Sequence, residues 1–228
     1  ILVPSSMVLN NGLLKEFLQK LRSRLPKDIS IREICKVNLS FNPRKMVRCK
    51  RYTYCLSLDT PAALGRQYVW DISYWNINIE LLKDAAKCFE GTHNFSLFCE
   101  KQNECCDTKK TNILTISNVS VLETTSRDKK IYISFEGKSF RRKQVRKMVH
   151  AIVDVARGIK KRKDIETQLV LKNDADNNDS IHSSSSSSLL PPTNPSAPSC
   201  GLTLSWIDYG EGYSKLSMKK ENNDYDRI

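Results

Sequence analysis

The apolar positions of the chain fall into stretches of helical and of strand spacing. From Leu13 to Leu25 the residues Leu13, Leu14, Phe17, Leu18, Leu21 and Leu25 recur at the interval that gathers side chains on one face of a helix, and Pro26 ends the pattern. Ile29, Ile31 and the Ile34 to Val37 region, and then Tyr52, Tyr54, Leu56 and Leu58, alternate with polar residues and predict two strands, with a turn at Asn42-Pro43 between them. Asn78 is placed to cap a helix over 79–90 that carries Ile79, Leu82, Ala85, Ala86 and Phe89, and Gly91 is placed to close it. The alternating runs Ile113 to Leu122 and Ile131 to Phe135 flank the polar stretch Glu123 to Lys130 and predict a hairpin. Between Phe140 and Ala156, Val145, Val149, Ile152 and Ala156 form one apolar stripe, widened by Met148 and Val153 and stopped by Gly158. Leu202, Leu204, Trp206 and Ile207 predict a last strand. No internal repeat is present. The order of elements predicts an α+β fold, a mixed and mainly antiparallel sheet with helices packed on one face.

Composition divides this pattern. Between Lys172 and Pro195 the chain turns to Asn, Asp, Ser and Pro, with consecutive serines from Ser183 to Ser188, a composition that cannot bury enough apolar area to order itself. The expected organisation is one folded unit over 1–171 and 197–209, a disordered insertion over 172–196 and a charged tail over 210–228. With 39% hydrophobic residues the 228-residue chain can build a core. Ile1 stands where an initiator Met would, so the sequence is read as a segment of a longer protein.

Charge narrows the partner. Lys and Arg number 37 against 25 Asp and Glu, a formal charge of +12 that favours a polyanion, nucleic acid ahead of an acidic membrane surface. No run of about 18 apolar residues exists, which excludes a bilayer helix and leaves no membrane partner in this reading. The cysteines Cys35, Cys49, Cys55, Cys88, Cys99, Cys105, Cys106 and Cys200 are scattered through a domain too large to need staples and read as reduced thiols of an intracellular protein. Cys105-Cys106 is the one close pair, and adjacent residues suit a tetrahedral zinc site poorly, so no metal is expected.

The densest chemistry lies in Lys138 to Gly158, KSFRRKQVRKMVHAIVDVARG. Arg141, Arg142, Lys143, Arg146 and Lys147 crowd its first half, and Arg142 and Arg146, one helical turn apart, share the edge of the apolar stripe. On charge alone these cations read as a solvated helix face. A guanidinium half buried at the stripe edge, as expected for Arg146, instead requires an anion, because an unpaired buried charge is costly.

Here the chain resembles a known family. G-K-S-F-R-R-K-Q-V-R-K-M-V, ending at Val149, is similar to the last signature of TruA-type tRNA pseudouridine synthases, a glycine-small-Phe turn leading into V/I-R-x-M/I-V. Leu25-Pro26-Lys27-Asp28-Ile29 resembles the family's L-P-x-D-I, and Phe41-Asn42-Pro43-Arg44 followed by Lys50-Arg51-Tyr52-Thr53-Tyr54 resembles F-x-A-R and R-x-Y-x-Y. Gly91-Thr92-His93-Asn94-Phe95-Ser96-Leu97-Phe98 resembles G-T-H-D/N-F-x-x-F, and Ala197-Pro198-Ser199-Cys200-Gly201-Leu202-Thr203-Leu204 resembles A-P-x-x-G-L-x-L. These signatures stand in family order from about Leu13 to Tyr209, and Asn94 with the long insertion is similar to the eukaryotic branch.

The resemblance implies the C-terminal part of the pseudouridine synthase fold and the isomerisation of uridine to pseudouridine in tRNA. The uridine is flipped out, its N1–C1′ bond is broken, the uracil turns, and C5 is joined to C1′, with no cofactor. The aspartate that does this work sits in an R-T-D-x-G-V-like motif with no match here, and it is expected ahead of Ile1, so the chain alone is expected to be inactive. By resemblance Arg146 pairs with that aspartate and Tyr52 stacks on the target base, the alternative for Tyr52 being a strand tyrosine in the core. Val145 lies beneath the site, and Gly201 and Leu202 form its wall. RNA is expected against Lys50, Arg51, Arg141, Arg142, Lys143 and Lys147, while His93 either contacts RNA or caps a turn. Two positions depart from the pattern: Lys50 replaces the family's arginine, and His150 its usual glycine.

The implied partner is tRNA, with other structured RNAs as further candidates, and the implied compartment is the nucleus, with the mitochondrion as alternative. Oligomeric state is not legible. A second function class stays open, a degenerate member that binds tRNA without modifying it. An unrelated RNA-binding domain would need an R-G-F-G-F strand or a G-x-x-G loop, and the sequence has neither.

Overall fold

The computed structural model describes residues 11–31, 34, 37–59, 65–100, 112–124, 129–170 and 194–213. Two compact units divide the chain, Ile1–Met46 and Val47–Ile228. In the first, α1 (Asn11–Arg24) carries an i,i+4 pair between Glu16 and Lys20 at 2.6 Å, and Arg22 donates twice to Ile31 O, at 2.8 and 2.6 Å. Asn42 turns the chain as expected, its Oδ1 accepting from the N–H groups of Arg44 and Lys45. The strand expected over Ile29 to Val37 does not form among the described residues of that stretch. Alternation alone does not make a strand without a neighbour to pair with.

The second unit is a six-stranded sheet with helices on one face. Its strands are β1 (Cys49–Ser57), β2 (Trp70–Asp71), β3 (Gly91–Asn94), β4 (Ile113–Glu123), β5 (Lys130–Gly137) and β6 (Leu202–Asp208), in the order β2-β1-β5-β4-β3, with β6 also on β1. β1 is the spine: β5 runs antiparallel along one edge, while the other edge takes β6 antiparallel and then β2 in parallel. Register places Tyr52, Tyr54 and Leu56 opposite Phe135, Ile133 and Ile131 on one face. There they join a single buried cluster with Leu82, Ala85 and Ala86 of α2 (Ile79–Lys87), Met148, Val149 and Ile152 of α3 (Gln144–Ala156), and Ile165 and Leu169 of α4 (Arg162–Leu169). On the other face Thr53 Oγ1 lies 2.9 Å from Ser134 Oγ and 2.8 Å from Ser205 Oγ, a hydroxyl chain tying β1, β5 and β6 together.

Local signals explain most boundaries. Asn78 caps α2 by accepting from Leu81 N at 3.0 Å, a contact worth about 1 kcal/mol. α2 ends at Lys87, three residues before Glu90, so Gly91 opens β3 rather than closing the helix. α3 ends at Ala156 in a Schellman turn: Gly158 at φ +75° donates to Val155 O and Ile159 to Asp154 O, both at 2.9 Å.

The start of α3 differs from the expectation of helix from Phe140. Lys143 sits in the left-handed region at φ 60°, and only Gln144 enters the helix. Arg142 and Arg146 therefore do not lie one turn apart on a continuous helix. A lysine there costs roughly 1–3 kcal/mol, and its ammonium is held at 2.6 Å by Glu100 Oε1.

The insertion also ends earlier than expected. Asn194 is 4% exposed; it accepts from Lys160 Nζ at 3.2 Å and donates to Gln168 Oε1 at 2.7 Å. Residues 194–196 thus belong to the folded unit, while 171–193 and the tail residues 214–228 lie outside the described residues, as do Cys35, Cys105 and Cys106.

Candidate active site

A strap from Asn194 to Cys200 crosses α3 and leads into β6. Its centre exchanges two bonds with one arginine: Arg146 Nε donates to Ala197 O at 2.6 Å, and Ala197 N donates to Arg146 O at 3.0 Å. Nε thereby fixes the guanidinium in orientation, and among the described residues no carboxylate pairs with it. The planar fork beyond Nε has the geometry that takes a carboxylate or phosphate.

Tyr54 holds the next residue of the strap, its hydroxyl donating to Pro198 O at 2.7 Å. Burial, helped by the Cys200 thiol, pushes that hydroxyl far above its ordinary range, against a pull from the nearby Arg146 charge. It stays a neutral donor at any physiological pH. Gly201 follows, buried, its carbonyl oxygen accepting from Cys55 N at 2.9 Å. A Cβ at this position would stand 2.7 Å from Cys55 O and 2.7 Å from Tyr54 Cε1, so only glycine lets strap and β1 come this close. Leu202 pairs with Tyr54 in register and packs on the core, and Val145 is buried beneath.

Tyr52 lies on the same face of β1, half buried, meeting Phe140 edge-on with ring centroids 5.1 Å apart. The structure thus brings Arg146, Tyr52, Val145, Gly201 and Leu202 to the helix-covered face around β1. The expected RNA-contact residues separate. Arg142 and Lys143 meet at Glu100, with Arg142 Nε 2.6 Å from Oε2 and Lys143 Nζ 2.6 Å from Oε1, so one carboxylate pairs with two cations at the lip of α3 while the Arg142 side chain stays 80% exposed. Lys143 first, then its own burial and the Arg142 charge, set the Glu100 carboxyl, and the net shift is downward. Arg141 donates its backbone N–H to Gln144 Oε1 at 2.7 Å.

Others serve the fold. Lys147 is 7% exposed and donates to Cys99 O at 3.0 Å, with burial lowering its pKa, so it is turned away from any phosphate at the surface. Arg51 points to the opposite face of the sheet, giving two bonds to Glu136 Oε1 at 2.9 and 2.7 Å with its guanidinium 5.4 Å from the Trp206 ring centroid. Lys50 lies on β1 opposite Gly137 and Ile207. His93 sits on β3 at the far edge of the sheet, its Nε2 2.9 Å from Glu90 O. His150 stacks with Trp70 at 5.9 Å and lies 3.4 Å from Asp154 Oδ2, an ion-pair distance without the alignment of a hydrogen bond.

Comparison with known proteins identifies the family. Residues 85–209 match the family model described as tRNA pseudouridine synthase. The chain is similar to tRNA pseudouridine synthase A of Thermosipho melanesiensis, 36% identical over 138 residues that cover 60% of this chain and 53% of that protein. It is similar to the same-named protein of Pyrobaculum arsenaticum, 30% identical over 188 residues, 82% of this chain and 58% of that one. Similarity extends to tRNA pseudouridine synthase A 2 of Clostridium perfringens, 36% identical over 148 residues, 64% and 57% of the two chains. The chain thus spans a little over half the length of these relatives. With the matched segment running from α2 through the Arg146 strap to the end of β6, the chain belongs to the TruA-type tRNA pseudouridine synthase family.

Proposed function

We propose that this chain is the part of a tRNA pseudouridine synthase that orients the catalytic carboxylate and holds the target uridine. The observation that carries the reading is the Arg146 guanidinium, fixed through Nε by Ala197 O and without a carboxylate among the described residues. No R-T-D-x-G-V match occurs in the sequence, so the reading draws the aspartate from outside these 228 residues. Arg146 holds that carboxylate ionised and aimed at the sugar, Tyr52 stacks on the flipped base, and Gly201 and Leu202 wall the pocket. The substrate is tRNA, gripped by Arg141, Lys50 and the cations at the lip of α3. No cofactor enters the reaction. The long insertion supports the eukaryotic branch, and the free thiols Cys49, Cys55, Cys88, Cys99 and Cys200 support an intracellular setting, nuclear or mitochondrial.

The chain alone is then expected to bind tRNA, with affinity falling steeply with salt, and to release no tritium from C5-labelled uridine. In a protein that joins the aspartate motif to this sequence, Arg146→Ala abolishes tritium release and leaves tRNA affinity within about two-fold, whereas Arg141→Ala weakens binding and leaves turnover at saturating tRNA near wild type. Arg146→Lys keeps the charge and loses Nε, and its kcat falls on the order of 100-fold, the cost of a misaimed catalytic group. An Arg146→Ala protein that behaves like Arg141→Ala places the arginine on the solvated basic face and removes the active site proposed here.

A further inference from the structure

The far end of α3 carries a second meeting of rings and cations. Arg157 follows the helix eleven positions after Arg146, and at about 100° per residue it returns to within roughly 20° of the same bearing, about 16 Å further along the axis. Its guanidinium carbon lies 3.8 Å from the centroid of the Trp75 ring, and among the described residues no carboxylate pairs with it. Tyr74 meets Trp75 at 4.8 Å and is itself 68% exposed. The rings continue inward: Trp75 meets Trp70 edge-on at 5.6 Å, and Trp70 meets Tyr54, the anchor of the Arg146 strap, at 6.2 Å. Asn78 N donates to Ala156 O at 3.0 Å and pins this segment to the end of α3. Beyond the Schellman turn, Lys161 and Lys163 are exposed, while Arg162 is engaged by Asp84 and Glu166.

The core gains little from Tyr74, whose ring stands mostly in water at the rim of an otherwise packed cluster. A flat exposed ring beside an acid-free guanidinium and two lysines is the combination that takes an unstacked base and its phosphates. We propose that Tyr74, Trp75 and Arg157, with Lys161 and Lys163, form a second RNA-contact surface that stacks an unpaired nucleotide of the same RNA whose uridine is bound at Arg146. The inference rests on the function proposed above. The row of rings from Tyr54 through Trp70 and Trp75 to Tyr74 links the two sites through the core, and the positive charge at the far end complements a backbone leaving the site.

Fluorescence anisotropy of labelled tRNA transcript with the full 228-residue chain tests this, with melting curves to confirm that the exposed substitutions leave the fold intact. Tyr74→Ala is expected to weaken binding roughly ten-fold, and Tyr74→Phe to restore it, since stacking needs the ring and not the hydroxyl. Lys161→Gln with Lys163→Gln is expected to flatten the dependence of log affinity on log salt by about one to two. Wild-type tRNA binding with Tyr74→Ala and the double lysine variant unchanged overturns this surface and leaves the function reading standing. Failure of the wild-type chain to bind tRNA removes both. Loss of anionic-vesicle binding in Tyr74→Ala with tRNA affinity unchanged reassigns the surface to a membrane.

Discussion

Gly201→Ala puts the contact between strap and β1 to a direct test. The added methyl would stand 2.7 Å from Cys55 O, 2.7 Å from Tyr54 Cε1 and 2.9 Å from Tyr54 Cζ. Comfortable separation for such atoms is about 3.5–4.0 Å, so strap or strand must give by most of an ångström. Neither neighbour yields easily: Cys55 O is main chain of the central strand, and the Tyr54 ring is fully buried, edge-on to Trp70 and tied by its hydroxyl to Pro198 O. Overpacking of this kind costs about 1–3 kcal/mol, and loss of the Tyr54 hydrogen bond adds about 1 kcal/mol. A total of roughly 2–4 kcal/mol corresponds to a fall in melting temperature of about 5–15 °C for a domain of this size. The assay is thermal unfolding beside Thr203→Ala, an exposed position on the same strand that is expected to change little. A Gly201→Ala protein melting within about 2 °C of wild type refutes the close approach and, with it, the placement of the strap that fixes Arg146.

Other outcomes follow from named contacts. Asn194→Ala leaves Leu97 O and Gln168 Oε1 without its amide and should cost about 1–3 kcal/mol in urea unfolding, whereas deleting residues 173–193 should change stability little, because the Gln168–Asn194 bond at 2.7 Å keeps the ends of the excised stretch close; equal losses in the two would sink this assignment. Asp154 titrates below its usual range: burial raises its carboxyl, but the close contacts and charge of His150 and Lys160 together outweigh that. A depressed carboxylate stabilises above its unfolded pKa and loses that contribution as pH falls through the folded value. Unfolding free energy should therefore drop from about pH 4 downward more steeply in wild type than in Asp154→Asn, and parallel curves would show that the pair with Lys160 contributes nothing.

Legibility in the sequence followed the range of the interactions. The stripe of α3, the β4–β5 hairpin and the Asn78 cap were readable because each is written in one continuous stretch of the sequence. α4 was missed since only Ile165 and Leu169 face the core and its ends are fixed by pairs such as Arg162 with Asp84, 78 positions away. β2 and β3 are too short to show alternation. Sequence led to the expectation of an anion beside Arg146 but could not show that Ala197 O holds it across 51 positions, or that Glu100 pairs with both Arg142 and Lys143. Lys147 and Arg51 read as surface cations because charge in a sequence carries no sign of which way the side chain turns.

The pairing of β6 with β1 has a consequence for how the protein is born. Thr53 and Ser205, joined in the hydroxyl chain, are separated by 152 positions, and the strap that aims Arg146 is made just before β6. At synthesis rates of about 5–20 residues per second, β1 waits roughly 8–30 s on the ribosome for its last partner. Until then one edge of the central strand stands open and Arg146 is unaimed. On the proposed reading the nascent polypeptide meets RNA through its cations well before it can orient a carboxylate, so competence would arrive late, with the final strand.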